Sequence, residues 1–449
     1  MILEYSELLL IDLSIWLTCL LVMLRWGNLS LLHPAALYFC FHAYAFTFRL
    51  FQLANGAPTL FEGWGWQFAP VTRAEIQRAS WVALGGLITM TVVWLYLAKK
   101  VSLSTARVAK DMRCRPFSRR IMWMVCAITL PIGLFAFIVL RGPILVGGSM
   151  VSLGAWSGSG YLFSIQQWFG ISLLALIFYY GLRPGLLVLL SFYLVIALLT
   201  FPFRMMVILP ALFVMFTYLR RNNIRWLSWR VAIVAVTLFL LFMSGKELGP
   251  VLRHGDWSGA WELLTRRLVQ MQLGEHFDAT FMDQMAVVLS QVDERGHFYY
   301  GRTYANLLIL PIPRQLWPDK PGQADWQKEL QTPGRPTGDM GAIATAFGEA
   351  YANFGYAGVV LYSMILAALL HALYVWMMHA PYYSLVNFWS LCVYAILIQV
   401  FRDGLISFVM FQVSTFMPLT IITLLHLLLL RHRYNIAHEP MTEQRFSTT

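Results

Sequence analysis

The chain has 449 residues, 59% of them hydrophobic and only 12% charged, against roughly 25% charged in a soluble protein, and its mean hydropathy is +0.62. Stretches of about 20 apolar residues, each long enough to cross roughly 30 Å of hydrocarbon, recur along its whole length. A string of soluble domains is thereby excluded, and the formal charge of +11 reads as topogenic charge under the positive-inside rule, not as a nucleic-acid surface.

In lipid the backbone must satisfy its own hydrogen bonds, so the spans are helices. In chain order they are expected at 8–24, 35–53, 81–98, 121–140, 161–180, 185–200, 203–219, 229–245, 343–377, 385–400 and 405–430. This is an all-α integral membrane protein of about eleven transmembrane helices. The stretch 343–377 is too long for one upright span, so its first turns stand above the bilayer or it tilts. Four parts follow: N-terminal transmembrane helices over 1–245, an extracytoplasmic loop over 246–341, C-terminal transmembrane helices over 342–433 and a polar tail over 434–449. Cys19, Cys40, Cys126 and Cys392 fall in spans and Cys114 in a basic loop, so no structural disulfide is expected.

Lys99, Lys100, Arg107, Lys110, Arg113, Arg115, Arg119 and Arg120 crowd between the third and fourth spans, which places that loop in the cytoplasm. Counting outward puts the N-terminus outside and the C-terminus inside, with Arg220, Arg221, Arg225, Arg431 and Arg433 also inside. The segments left outside still carry Arg141, Arg204, Lys246, Arg253, Arg266, Arg267, Arg302, Arg314, Lys320, Lys328, Arg335 and Arg402. Cations against the topogenic bias point to an anionic ligand on that face.

Within the outer loop, Trp257, Ala260, Trp261, Leu264, Leu268 and Met271 repeat at helical spacing, with Arg266 and Arg267 opposite. A second helix is expected over 279–294, stopped near Gly296 as a C-cap. Both are expected to lie across the membrane surface, apolar face down. Beyond Gly296, six prolines from Pro311 to Pro336 predict ordered loop.

Several residues invite a chemical role beside a structural one. Arg204, in Phe201-Pro202-Phe203-Arg204, is either an interfacial anchor or a phosphate clamp. Arg402 and Asp403 either neutralise one another or hold phosphate and a sugar hydroxyl, and adjacent residues do not face each other on a helix. The run from Pro311 to Pro321 presents Arg314, Trp317 and Lys320 at spacing three, as a structural loop or as an anion and sugar site. Glu349 is a structural ion pair or a general base. His276 is a lone histidine with no metal-ligand spacing to His254 or His297. Lys246 snorkels or joins a phosphate site. Outer tryptophans form an interfacial belt, with a few free to stack on sugars. No P-loop, dinucleotide fingerprint or serine elbow occurs, so nucleotide-driven chemistry has no support.

The layout, together with Gly301-Arg302-Thr303-Tyr304, the Pro311–Pro321 run, Gly348-Glu349-Ala350-Tyr351, Asn353-Phe354-Gly355, Arg402-Asp403-Gly404-Leu405 and Ser407-Phe408, resembles the Wzy-type oligosaccharide repeat unit polymerases. Arg204 in its short outer turn also fits. The resemblance implies a GT-C-like membrane fold in a bacterial inner membrane, no cofactor and no metal. It also implies transfer of a growing glycan from undecaprenyl pyrophosphate to a new lipid-linked unit. Leaving-group stabilisation needs cations, for which Arg204, Arg402, Arg314, Lys320, Lys246 and Arg141 are candidates. The base is sought in the order Glu349, Asp403, His276, and the sugar contacts in Trp317 and Tyr351. The expected partners are undecaprenyl-pyrophosphate-linked glycans and the lipid bilayer, then a chain-length regulator and a flippase, and no nucleic acid. The rival readings are an O-antigen-ligase-like transferase, a flippase or exporter of lipid-linked glycan, and a scaffold for other glycan enzymes. Transporters show paired repeats and broken helices, and neither is legible here.

Overall fold

The computed structural model describes residues 2–62, 67–111, 119–145, 165–199, 205–229, 256–272, 280–309, 325–336 and 344–424, with isolated positions between them. In chain order the helices are α1 (Tyr5–Trp26), α2 (Pro34–His42), α3 (Phe48–Ala54), α4 (Arg73–Asp111), α5 (Arg119–Leu145), α6 (Gln167–Tyr180), α7 (Pro184–Leu199), α8 (Met205–Arg221), α9 (Trp257–Gln272), α10 (Phe281–Arg295), α11 (Arg302–Ile309), α12 (Asp325–Leu330), α13 (Thr345–His379), α14 (Leu385–Ala395) and α15 (Ile398–Thr415). Among the described residues four helices are long and apolar enough to cross a bilayer: Tyr5–Trp26, Arg73–Lys99, Arg119–Arg141 and Thr345–His379. A fifth span follows if Leu385–Ala395 and Ile398–Leu405, bent by 63° at their junction, count together. Exposed Leu10, Trp81, Val92, Phe135 and Ile365 give these helices an outer surface suited to lipid. The architecture is that of an all-α membrane protein. The segments expected at 161–180 and 185–200 are the shorter apolar helices Gln167–Tyr180 and Pro184–Ala197, and 229–245 lies almost wholly outside the described residues.

Two ends of the bundle can be told apart by their hydrogen bonds. At one, Arg73 meets Glu4 at 2.5 Å, Arg335 meets Glu75 at 2.5 Å and Ala69 N–H donates to Gly334 O at 3.2 Å. At the other, Leu31 N–H donates to Arg225 O at 3.1 Å, and Arg220 donates to the carbonyls of Met378 and Ala380 at 3.0 and 3.2 Å. Local sequence sets the element starts and stops. Glu4 and Glu7 close a capping box on α1. Pro34 opens α2, with His33 Nδ1 accepting the Ala35 N–H at 3.1 Å. Asp256 accepts from Gly259 N–H at 2.8 Å before α9, and that bond holds its carboxyl below the usual range.

The segment expected as one span over 35–53 is interrupted. Between α2 and α3 the residues Ala43–Thr47 form a π-helical turn. Five residues apart on an α-helix point about 140° away from each other, and a wider π turn brings them to one side. His42 Nε2 lies 3.0 Å from Asp12 Oδ1, and Thr47 Oγ1 donates to Asp12 Oδ2 at 2.5 Å. Two residues later Arg49, fully buried, reaches Asp283 of α10 through Nε at 2.8 Å and NH2 at 2.7 Å. Asp283 also accepts the Leu60 N–H at 2.9 Å.

α10 itself departs from expectation. It ends at Gly296 (φ 73°), as the sequence predicts, but its apolar face is covered by protein and is not left for a bilayer surface. Phe281–Leu289, Gln291 and Val292 are buried, packed against α4 and α13. Its polar residues permit this because each finds a protein partner: Asp283 has Arg49, Gln284 donates to Thr280 Oγ1 at 3.2 Å and Gln291 to Arg335 O at 3.0 Å. In α9, by contrast, Trp257 and Trp261 are exposed. Beyond Gly296 two short helices form where only loop was expected, α11 ahead of the first proline and α12 between Pro321 and Pro333.

The long stretch near 343–377 is resolved neither by simple protrusion nor by tilt alone. Phe354 (φ −146°, ψ 19°) and Gly355 (φ 62°, ψ −149°) break α13, leaving a short leading helix before a span of ordinary length. α15 carries a second break at Gly404 (φ 85°, ψ −177°). The chain after it returns beside α14, where Trp389 Nε1 donates to Thr420 Oγ1 at 3.0 Å. Broken helices, which the sequence did not reveal, are thus present.

Candidate functional site

The break at Gly404 meets a carboxylate carried by the leading helix of α13. Glu349 sits in the leading helix of α13 and is 3% exposed. Thr303 Oγ1 donates to its Oε1 at 3.2 Å. Its Oε2 rests on Gly404, where an added Cβ would lie 2.2 Å from it. The Leu405 N–H faces the carboxylate without closing a full hydrogen bond. Gly404 is therefore required twice, for its positive φ and for the space Glu349 fills. Gly404→Ala is expected to lower unfolding stability of the purified protein by roughly 1–3 kcal/mol; a wild-type unfolding midpoint in detergent would show that Glu349 does not depend on this contact.

A strap holds Thr303 in place. Tyr299 and Tyr300 N–H donate to Ala352 and Asn353 carbonyls at 2.9 and 3.0 Å. Asn353 Oδ1 accepts the Gly301 N–H at 2.9 Å, and Asn353 Nδ2 donates to Thr303 Oγ1 at 2.7 Å and Glu349 O at 2.8 Å. Asn353 thus fixes the Thr303 oxygen as acceptor toward itself, which directs the hydroxyl proton to Glu349. Below the strap, the Tyr304 and Tyr362 rings stack with centroids 6.1 Å apart, and both hydroxyls are buried with no partner among the described residues. Burial, then the nearby Glu349 charge, pushes the Tyr304 phenol far above its ordinary range, so it remains a donor. Tyr299 donates to Trp326 O at 2.8 Å, and burial pushes its phenol up to about 12.

Arg402 and Asp403 do face one another, with NH1 3.4 Å from Oδ2, contrary to what regular helix geometry allows for neighbours; the break at Gly404 begins one residue later. Gln399 also donates to Asp403. Arg402 lies over the Phe281 ring at 5.8 Å, and its Nε is buried with no partner among the described residues. Beside Gly404 opens an apolar groove of about 540 Å³ between α13, α14 and α15, lined by Leu366, Leu370, Trp389, Val393, Leu405 and Phe408.

The other sequence candidates lie apart from Glu349 or have their own partners. Tyr351 donates to Asp293 at 2.8 Å, which also pairs with Arg78. Lys320 is 8% exposed and donates to Ile312 O at 2.9 Å, with Trp317 half-exposed beside it. Arg141 is buried and donates to Gln166 at 2.9 Å. Arg204, Lys246, His276 and Arg314 lie outside the described residues. The inference from surplus outer cations weakens, because Arg335 pairs with Glu75 and Arg302 with Glu329 at 3.0 Å. Tyr304, Tyr362, Thr303 and Asn353 received no role from the sequence. The signal for Tyr362 was a Tyr-Ser pair inside an otherwise apolar span.

What this arrangement can do is accept a proton at Glu349, offer phenol donors to an oxygen-rich group, and seat a hydrocarbon chain in the adjoining groove. Among the described residues no three of His, Cys, Asp and Glu converge as a metal site would require. No family model matches the chain, and no curated protein or solved structure matches it.

Proposed function

We propose that this protein is an inner-membrane glycosyltransferase that joins undecaprenyl-pyrophosphate-linked oligosaccharide units into a surface polysaccharide, with Glu349 facing the periplasmic side. The observation that carries this reading is the junction of Glu349 and Gly404 at the mouth of an apolar groove. A lipid-linked sugar donor needs a hydrocarbon seat and a polar reaction centre side by side. Leu405 belongs to both, since it follows Gly404 under the carboxylate and lines the groove.

In this mechanism the acceptor sugar hydroxyl attacks the anomeric carbon of the donor. The bond from that carbon to the pyrophosphate oxygen breaks, and the electron pair leaves with the lipid pyrophosphate. Glu349 takes the hydroxyl proton. Arg402 supplies positive charge where the leaving group develops negative charge, and Tyr304 and Tyr362 donate hydrogen bonds.

The test is glycan length in a deletion strain carrying either the wild-type gene or Arg402→Ala, with protein levels compared. Single repeat units in the deletion, and no long chains with Arg402→Ala at normal abundance, are expected. A second reading, a flippase of lipid-linked glycan, draws on the breaks at Phe354–Gly355 and Gly404, a feature of transporters. Lipid-linked units trapped on the inner face of the deletion strain would establish that reading and end the polymerase one.

A further inference from the structure

The end of the bundle opposite Glu349 holds a separate cavity of about 410 Å³ where α6 and α8 both finish. α6 stops at Gly181, whose N–H closes on Ile177 O at 2.8 Å. At φ +80° this glycine leaves a notch that Arg221, the last residue of α8, fills: an added Cβ would lie 2.3 Å from its NH1. Arg183, two residues on, is held by the Tyr180 ring at 5.3 Å. Two guanidinium groups, both on exposed residues, therefore line one cavity, and neither has an acidic partner among the described residues.

A third group points the same way. Thr217 lies one turn before Arg221, so the two share a face of α8. It is 4% exposed, it lines the cavity, and its hydroxyl has no partner among the described residues. Thr91, Thr129 and Thr423 instead return their hydroxyls to the carbonyl four residues back, at 2.8, 2.8 and 2.7 Å. Thr217 alone of these four keeps its donor for whatever enters the cavity. Two guanidiniums and a hydroxyl match the oxygens of a phosphate. The remaining wall is apolar, from Ile177, Leu182 and Tyr218, with Leu182 and Tyr218 each 39% exposed.

We propose that this cavity binds the phosphate of an anionic phospholipid in the leaflet away from Glu349, through Arg183, Arg221 and Thr217. The cations and the apolar wall together suit an amphiphile, whereas a free phosphate would use the cations alone. The site does not depend on the glycosyl-transfer reading.

The test uses the full chain in detergent, followed by native mass spectrometry and thermal unfolding. The probes are phosphatidylglycerol, diacylglycerol with the same acyl chains, and inorganic phosphate. Phosphatidylglycerol is expected to bind and to raise the unfolding midpoint, and diacylglycerol is not. Arg183→Gln/Arg221→Gln should weaken phosphatidylglycerol binding by more than about tenfold, and Thr217→Val by roughly fivefold to tenfold. Thr217→Val removes only the donor and keeps the test decisive if the double variant fails to fold. Equal phosphatidylglycerol binding by wild type and Thr217→Val, or equal binding of diacylglycerol, would overturn the proposal. Inorganic phosphate binding as tightly as phosphatidylglycerol, with the same loss in the variants, would overturn the lipid source and assign the site to free phosphate.

Discussion

Glu349→Gln is expected to leave the protein folded at normal abundance and to cut formation of long glycan by roughly 10²–10⁴-fold, the usual contribution of a positioned base. Glutamine has the same shape, so contact with Gly404 is preserved, and its Oε1 still accepts from Thr303 as the carboxylate does at 3.2 Å. What disappears is the capacity to take a proton, together with the acceptor oxygen on the Gly404 side. The comparison is therefore cleaner than Glu349→Ala, which would also leave a cavity beside the Gly404 break. Glycan length from a strain carrying only the variant, with immunodetection of the protein, reads the outcome. Wild-type chain length with Glu349→Gln would remove Glu349 from the chemistry and leave it a structural role at the Gly404 break.

The largest stability effect is expected at the pair Arg49–Asp283. Both side chains are 0% exposed, the geometry is bidentate at 2.8 and 2.7 Å, and Asp283 also receives the Leu60 N–H. Asp283→Ala strands a buried guanidinium, and such a loss costs about 3–5 kcal/mol. Arg49→Met combined with Asp283→Leu should cost less than the sum of the single changes, because no lone charge remains. Denaturant unfolding of the purified protein in micelles measures both. A single variant within about 0.5 kcal/mol of wild type, the scatter of ordinary surface substitutions, would mean that the pair is open to water.

Much of this fold was legible from the length of its apolar stretches. The spans expected at 8–24, 81–98 and 121–140 fall within Tyr5–Trp26, Arg73–Lys99 and Arg119–Arg141, and Gly296 ends α10. Glu349 and the Arg402-Asp403-Gly404 run each stood out for charge in an apolar setting, and Glu349 proves to touch Gly404. Partnership across long stretches of chain was not legible. Arg335 and Glu75 are 260 residues apart, so no local pattern distinguishes a paired outer arginine from one awaiting an anion. Burial of α10 was hidden for the same reason, since its amphipathic pattern reads alike on a bilayer or on a protein surface. The breaks depend on backbone angles at Gly355 and Gly404, and glycine alone does not announce which of its many conformations is used.

The Arg49–Asp283 pair also sets an order of events during synthesis. The two residues are 234 positions apart, so at about 5–20 residues per second the arginine waits roughly 10–50 s for its carboxylate. During that interval α1 to α3 are already made but hold an unmatched charge at their core. This amino-terminal segment therefore cannot reach its final packing as an independent early unit. It has to be kept loose, by the insertion machinery or by surrounding water and lipid headgroups, until α10 arrives. A chain stopped short of Asp283 keeps Arg49 without its carboxylate.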